Sequence, residues 1–290
     1  MTHLPVVDSR IHVWNPERLL YPWLAGVPAL NRSFLPQDSA SASASANAGE
    51  FIFVECGGKA AQRLDELNWI SEIACPEPRP KGIVAQAAVE TGDSIRGHLA
   101  ALARNPLVKD ARRIPHGESD PQFCLRLGLV SGVIALADFG LTFDLCWAHQ
   151  RLPAAIELVR RCPDVQYILD HCGKPGLRDQ RLDPRRRHLR ELAALRNVAC
   201  KIPGLVTEAD PARWGAEQLR AYVAPALESF GIARVLFGGD WPVCNLTPPL
   251  GDRVRVLEEI LAGENESDLA KLYQRSAERT YGLRNRPTEP

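Results

Sequence analysis

Apolar residues gather along this chain into eight short runs, at 4–7, 51–56, 82–89, 108–114, 141–147, 165–170, 197–202 and 234–237. Most are continuous rather than alternating, as strands buried on both faces should be. The run at 108–114 is the weakest, broken by Lys109, Asp110 and Arg112. Between the runs the spacing becomes helical. Segment 60–75 places Leu64, Leu67 and Ile70 on one face, with Arg63, Asp65 and Glu66 largely on the others. Segments 94–104, 121–129, 153–161, 184–195, 212–230 and 254–262 read the same way, and Pro153 and Pro184 suit a first helical turn. Strands alternating with helices predict an α/β protein, a single (β/α)8 TIM barrel spanning residues 1–290. A doubly wound open sheet is the competing architecture. Against it, no GxGxxG follows the first strand, and polar residues follow strands spread over the whole chain.

One connection is unusually long, the loop at 15–50 after strand one. It ends in an alternating Ser/Ala tract, residues 39–49, whose composition predicts a mobile linker. Its earlier part, Tyr21-Pro22-Trp23-Leu24, is a candidate lid over the barrel mouth.

Composition narrows the partners. Apolar residues at 45 % suffice for a large core, while 35 basic against 35 acidic side chains give no general attraction for nucleic acid or an anionic membrane. No run reaches the ~20 apolar residues needed to span a bilayer, and the N-terminus has no secretory pattern. Eight cysteines without a CxxC pair read as free buried thiols. Together these predict a cytoplasmic enzyme acting on a small molecule. Barrels of this size often associate, but the sequence marks no surface for a homo-oligomer.

In such barrels the reacting groups sit at the carboxyl ends of strands. His12 follows run one, Glu55 ends run two, and Arg112 and Arg113 lie on run four. His149 comes just past run five, His171 after run six, Lys201 on run seven and Asp240 after run eight. Any one of these residues alone reads as structural, and His149 reads equally as a cap on its loop; the agreement of seven strands makes the argument. A carboxylate among cations and histidines can take a proton from water while the positive groups polarise a carbonyl and hold the oxyanion. No GxSxG is present, so activated water is favoured over an acyl-enzyme. Trp14 and Trp241 suit either core packing or the wall of a pocket for a sugar or flat lactone ring, and Trp23 on the candidate lid is, with Trp241, a candidate substrate contact.

Four motifs carry a resemblance. Asp8-x-x-x-His12-Val13-Trp14, Leu169-Asp170-His171-Cys172-Gly173-Lys174-Pro175, Val198-Ala199-Cys200-Lys201-Ile202-Pro203-Gly204-Leu205 and Phe237-Gly238-Gly239-Asp240-Trp241-Pro242 together resemble the amidohydrolase superfamily, amidohydrolase-2 type. Within it they are similar to the group that holds sugar lactonases and 2-pyrone-4,6-dicarboxylate lactonase. The resemblance implies a lactonase in which Asp240 activates water, His12 lines the pocket, and His171 and Arg112 contact the lactone or its carboxylate. It also implies that Glu55 and Lys201 bind hydroxyl or carboxylate groups. The substrate would come from carbohydrate or aromatic catabolism.

The chain departs from this family in one place. The first motif usually reads His-x-His and helps bind a divalent metal; here it reads Arg10-Ile11-His12. A guanidinium cannot ligate a cation. Hydrolysis without a metal, with Arg10 as electrophile, is therefore the favoured expectation, and a zinc held by His12, His171 and Asp240 is the alternative. Arg10, Arg112, Arg113 and Lys201 would then crowd one pocket with positive charge and select an anionic substrate. A lactone isomerase, a metal-dependent decarboxylase and a degenerate sugar-acid-binding protein are the alternative activities.

Overall fold

The first strand, β1 (Val6–Ile11), is buried at every position although its middle reads Asp8-Ser9-Arg10. Such a strand lies inside a closed structure in which polar side chains find partners across an interior. This computed structural model describes residues 3–44, 47–115, 117–175, 182–203, 216–246 and 256–283. In it, β1 is followed by β2 (Ala48–Val54), β3 (Pro80–Gln86), β4 (Val108–Arg112), β5 (Thr142–Leu145), β6 (Tyr167–Leu169), β7 (Val198–Pro203) and β8 (Val235–Gly238). All pair in parallel and in sequence order. Just past β8 the ring closes on β1. The Asp240 amide donates to the Arg10 carbonyl at 2.9 Å, and the His12 amide donates to the Trp241 carbonyl at 2.8 Å. The protein is a (β/α)8 barrel.

Helices α1 (Pro36–Ala44), α2 (Arg63–Ala74), α3 (Arg96–Ala103), α4 (Leu127–Asp138), α5 (Leu152–Arg161), α6 (Arg185–Ala193) and α7 (Ala216–Phe230) lie in the connections. Alternate strand residues face them, including Phe51, Phe53, Phe143, Leu145, Tyr167 and Leu169, and build the main core. The other residues of the same strands face inward. Val7, Ile52, Val54, Val84, Ile168, Ala199 and Leu236 pack with Ala277 and Tyr281 of the C-terminal helical segment, which plug the floor of the barrel. Polar side chains on the inner face, Arg112, Asp144, Asp170 and Lys201, sit nearer the carboxyl end of the strands and are fully buried. Among the described residues no helix is long and apolar enough to cross a membrane.

Three expectations change. Part of the Ser/Ala tract is not a linker: α1 runs through Pro36–Ala44, and β2 already begins at Ala48. Alanine has the strongest intrinsic helix propensity, and Pro36 and Asp38 suit the first turn. The fourth helix begins at Leu127, later than 121–129 implies, because Phe123–Leu125 forms a separate 3-10 turn. The 15–50 connection is also not an open loop. It contains 3-10 turns at Pro22–Gly26 and Pro28–Leu30, and Trp14 and Phe34 pair their backbones.

Candidate active site

The seam between β8 and β1 builds the centre of the site. A Cβ on Gly238 would stand 3.1 Å from the Arg10 side chain, so glycine there lets the Arg10 stem pass. The Gly239 amide donates to Asp8 Oδ1 at 2.7 Å, and the Arg10 amide donates to the same oxygen at 2.9 Å. Asp8 thereby ties the two chain segments together. Asp240 then takes a left-handed backbone (φ 57°), as His171 does (φ 53°). Non-glycine residues held there store strain, and such residues cluster at functional sites.

The guanidinium of Arg10 spans two carboxylates. Its Nε donates to Asp240 Oδ1 at 2.7 Å and its Nη1 to Asp170 Oδ2 at 2.5 Å. His12 Nε2 lies 3.3 Å from the same Asp240 oxygen, while His12 Nδ1 lies 2.7 Å from the Val54 carbonyl. That carbonyl is only an acceptor, so Nδ1 carries the proton of a neutral ring and Nε2 presents a lone pair. Below, Lys201 Nζ bridges Asp144 Oδ2 at 2.6 Å and Asp170 Oδ1 at 3.1 Å, over the Tyr281 ring. Beside it, Arg112 donates through Nε to Glu55 Oε1 at 2.7 Å and through Nη2 to the Glu55 carbonyl at 2.5 Å. The other Glu55 oxygen accepts the Gly57 amide at 2.6 Å.

Burial and pairing set the charges. Burial alone would raise the pKa of Asp240, but the adjoining Arg10 guanidinium outweighs it and holds the carboxyl well below the usual range. The same opposition, with Arg10 and Lys201 as the main cations, keeps Asp170 ionised. His12 and His171 are both pushed down, first by burial, so both rings are neutral near pH 7. Asp8 rises to about 7, burial outweighing its two amide bonds. Asp144 rises to about 6 through burial and Asp170.

The expected residues are therefore brought together unevenly. Arg10, His12, His171 and Asp240 share one neighbourhood, and Arg112 reaches it through Asp170 at 3.5 Å. Glu55 and Lys201 are buried with their polar atoms committed to Arg112, Asp144 and Asp170, so they hold other site residues in place. Arg113 does not join. The residue after Arg112 on an extended strand points away from the interior, and its guanidinium is held by Glu90 and Glu118 at 2.7 and 2.8 Å. His149 sits half-buried on its loop with Nδ1 3.1 Å from the Lys174 carbonyl. Trp23 donates to the Cys56 carbonyl at 2.7 Å, just past β2, which brings the Tyr21–Leu24 segment against the carboxyl end of the barrel. Trp241 is buried, its ring 5.6 Å from Phe34. Gly204 and Leu205 of the third motif lie outside the described residues.

The expected crowd of positive charge is also corrected. Arg10, Arg112 and Lys201 face Glu55, Asp144, Asp170 and Asp240, each cation being paired. Asp144 and Asp170 were missed as site residues. The signal was present: Asp144 interrupts an apolar run, and Asp170 ends one as Asp240 does.

The His12, His171 and Asp240 trio fits a metal poorly, because Arg10 already occupies Asp240 and would repel a cation beside it. Among the described residues, the group that brings one ligand atom each within 4.8 Å is instead Cys146, Asp170 and His171.

The profile of the amidohydrolase family (Amidohydro_2) matches residues 7–283. An L-fucono-1,5-lactonase from Burkholderia multivorans is 30% identical over 289 residues, covering 96% of this chain and 96% of that one. A crystal structure of an amidohydrolase from Burkholderia multivorans with bound zinc superposes with a TM-score of 0.86 at 29% identity, covering 97% of this chain and 100% of that one. A probable 2-pyrone-4,6-dicarboxylic acid hydrolase from Acinetobacter baumannii with citric acid bound shares the fold, with a TM-score of 0.78 at 13% identity over 96% of this chain and 100% of that one.

Proposed function

The chain belongs to the amidohydrolase family, and from that premise we propose that it opens a small, uncharged sugar-acid lactone with water activated at Asp240. The observation that carries the reading is the Arg10 guanidinium, bonded to Asp170 and Asp240 beside a neutral His12. It puts a fixed positive charge where a carbonyl oxygen could be polarised, next to a carboxylate that can take a proton. The similarity to an L-fucono-1,5-lactonase supports the substrate class. The balanced charge of the pocket favours a neutral polyhydroxylated lactone over a dicarboxylate.

In this mechanism water attacks the lactone carbonyl. Its proton passes to Asp240, with His12 Nε2 close enough to share it. Negative charge builds on the carbonyl oxygen, where Arg10 stabilises it while Arg112 and the neutral His171 contact the substrate; as that charge returns to the carbonyl, the ring C–O bond breaks and the leaving oxygen takes up the proton held at Asp240. Asp240 is a weak base while Arg10 holds it, since its pKa lies far below neutrality. When the Arg10 N–H turns to the substrate oxygen, Asp240 loses that stabilisation and becomes more basic. Substrate binding thus readies its own base. Asp170, supported from beneath by Lys201, keeps the guanidinium in place during the exchange.

A bound zinc would supply Lewis acidity to the carbonyl, and the zinc-bound relative keeps that chemistry in view. The discriminating experiment follows proton release from a panel of sugar and dicarboxylic lactones before and after chelation, with wild type and Asp240→Asn. The expected outcome is hydrolysis that survives the chelator in wild type. In Asp240→Asn it should fall about 10²–10⁴-fold while lactone affinity is retained. Intact hydrolysis in Asp240→Asn would refute the role of Asp240. Loss on chelation with recovery in zinc would refute the role of Arg10.

A further inference from the structure

For Arg10 to swing from Asp240 to a substrate oxygen, Asp170 must hold the other end of the guanidinium still. Asp170 Oδ1 is itself held by Lys201 Nζ at 3.1 Å, and Lys201 is fully buried on a long, unbranched stem. An ammonium has three donors. Asp144 Oδ2 at 2.6 Å and Asp170 take two of them. A further neighbour is the Tyr281 ring, with its centroid 5.6 Å from Nζ.

The end of the C-terminal helix (Ser276–Thr280) fixes that ring from below. Gly282 takes a left-handed backbone (φ 59°). The Leu283 amide donates to the Glu278 carbonyl at 2.8 Å, and the Gly282 amide to the Arg279 carbonyl at 3.3 Å. These are the two bonds of a Schellman stop, and Tyr281 is the residue that they lock just before it. Leu283 packs into the same floor cluster as Tyr281. Ser276 Oγ and the Arg279 guanidinium both donate to the Ala233 carbonyl, which ties the helix to the turn that enters β8. Tyr281 is 3 % exposed, and its hydroxyl makes no hydrogen bond among the described residues. The face of the ring is therefore what it contributes.

We propose that Tyr281, on the barrel floor, is a positioning residue of the site: its ring seats Lys201, Lys201 holds Asp170, and Asp170 holds Arg10 against Asp240. The links above the ring are 3.1 Å from Lys201 to Asp170, 2.5 Å from Asp170 to Arg10 and 2.7 Å from Arg10 to Asp240. The inference rests on the lactonase reading for its kinetic consequence, and not for this chain of contacts. A cation gains most from an aromatic face where water is excluded, as it is around Lys201. With the ring in place, the lysine stem cannot sink towards the floor and Asp170 keeps its height. A side chain without a ring frees the stem, Asp170 follows it, and Arg10 no longer meets the substrate oxygen in line.

The test uses the full chain in two arms. In Tyr281→Leu, kcat per folded molecule should fall about 10–100-fold with KM unchanged, the scale of a small misplacement at the reacting centre. Tyr281→Phe keeps the ring and should stay within about twofold of wild type. Tyr281→Met fills similar space without a ring and stands in should the leucine variant fail to fold. The second arm needs no substrate. With arginine and lysine labelled for NMR, wild type should show Overhauser contacts between the Lys201 ε-methylene and the Tyr281 ring, and loss of the ring should move the Arg10 Nε–H resonance. A residue that serves only the stability of the floor would leave kcat per folded molecule and that resonance where they are, and either result would overturn the inference. So would a Tyr281→Phe variant as slow as Tyr281→Leu, or the absence of the Overhauser contact. An Arg10 resonance that moves in a protein opening no lactone would uphold the positioning chain and sink the proposed function. Lactone opening with an unmoved resonance would do the reverse.

Discussion

Arg10 is the residue on which the proposed chemistry turns, and its planarity matters as much as its charge. A rigid fork can hold Asp170 and Asp240 at once, whereas a lysine ammonium is a compact point charge on a flexible stem. Arg10→Lys should therefore keep the charge but lose the alignment. The expected outcome is a fall in kcat/KM of about 10²–10³-fold, on the scale of removing one oxyanion donor, with the far-ultraviolet circular dichroism unchanged. At this scale the sequence was partly legible. Motif residues that end strands, such as His12, His171 and Asp240, could be found because the barrel fixes where strand ends point. Residues that partner one another across the interior could not. Nothing local marks Lys201 as belonging to Asp144 and Asp170, or Glu55 to Arg112, since those distances are set by the ring and not by the neighbouring chain. Arg185 shows the same limit in reverse. Its run of basic residues reads as one solvated helix face, yet its guanidinium is buried and donates to the carbonyls of Cys172 and Tyr222.

Among the described elements, α4 packs closely against a neighbour. It lies against the 3-10 stretch Val89–Ile95, and a Cβ at Gly132 would stand 2.0 Å from the Val89 carbonyl oxygen. Backbone cannot yield there as a flexible side-chain end could. Gly132→Ala should destabilise the fold by at least the ~1–3 kcal/mol typical of overpacking, read as a lower midpoint in urea. Helix periodicity could locate α4 only approximately, because Gly128 and Gly132 weaken the helical signal for a reason that belongs to its neighbour. The first strand was underestimated in the same way. Its expected end at Val7 reflects where apolar residues stop, but β1 continues through Asp8, Ser9, Arg10 and Ile11, and the side chains of Asp8, Ser9 and Arg10 find partners on β8 or just past it.

Across the whole molecule, buried titratable groups predict how stability responds to pH. Glu66 is raised to about 8 by burial and Glu55, and Asp8 to about 7 mainly by burial. The folded state keeps protons that the unfolded chain has released, so these groups reduce stability as pH rises towards 8. His12 and His171 act in the opposite sense. Their folded pKa values lie below 6.5, so unfolding takes up protons and stability declines as pH falls below that value. Asp170 and Asp240 favour the fold above the ordinary carboxylate range and lose that contribution only in strong acid. The melting temperature should decline from about pH 6.5 to pH 8, where Glu66 and Asp8 still hold protons the unfolded chain has released, and level off above pH 8. Glu66→Gln should flatten the alkaline side; an unchanged slope would count against Glu66 as its source.

The two hydrogen bonds that close the ring involve Arg10, His12, Asp240 and Trp241, three of which are also proposed to carry the chemistry. The pair Arg10 and Asp240 is 230 positions apart in sequence, so the centre depends on one of the most distant contacts the chain can make. Contacts of that span form late, after their loop-closure entropy has been met by other structure. A nascent or half-refolded chain can therefore possess most of its barrel and still have no catalytic centre. On refolding from denaturant, lactone hydrolysis should return with the docking of the last strand and lag behind the recovery of helical signal. Ring closure then acts as the enzyme's own checkpoint, withholding reactivity from every incomplete form of the chain.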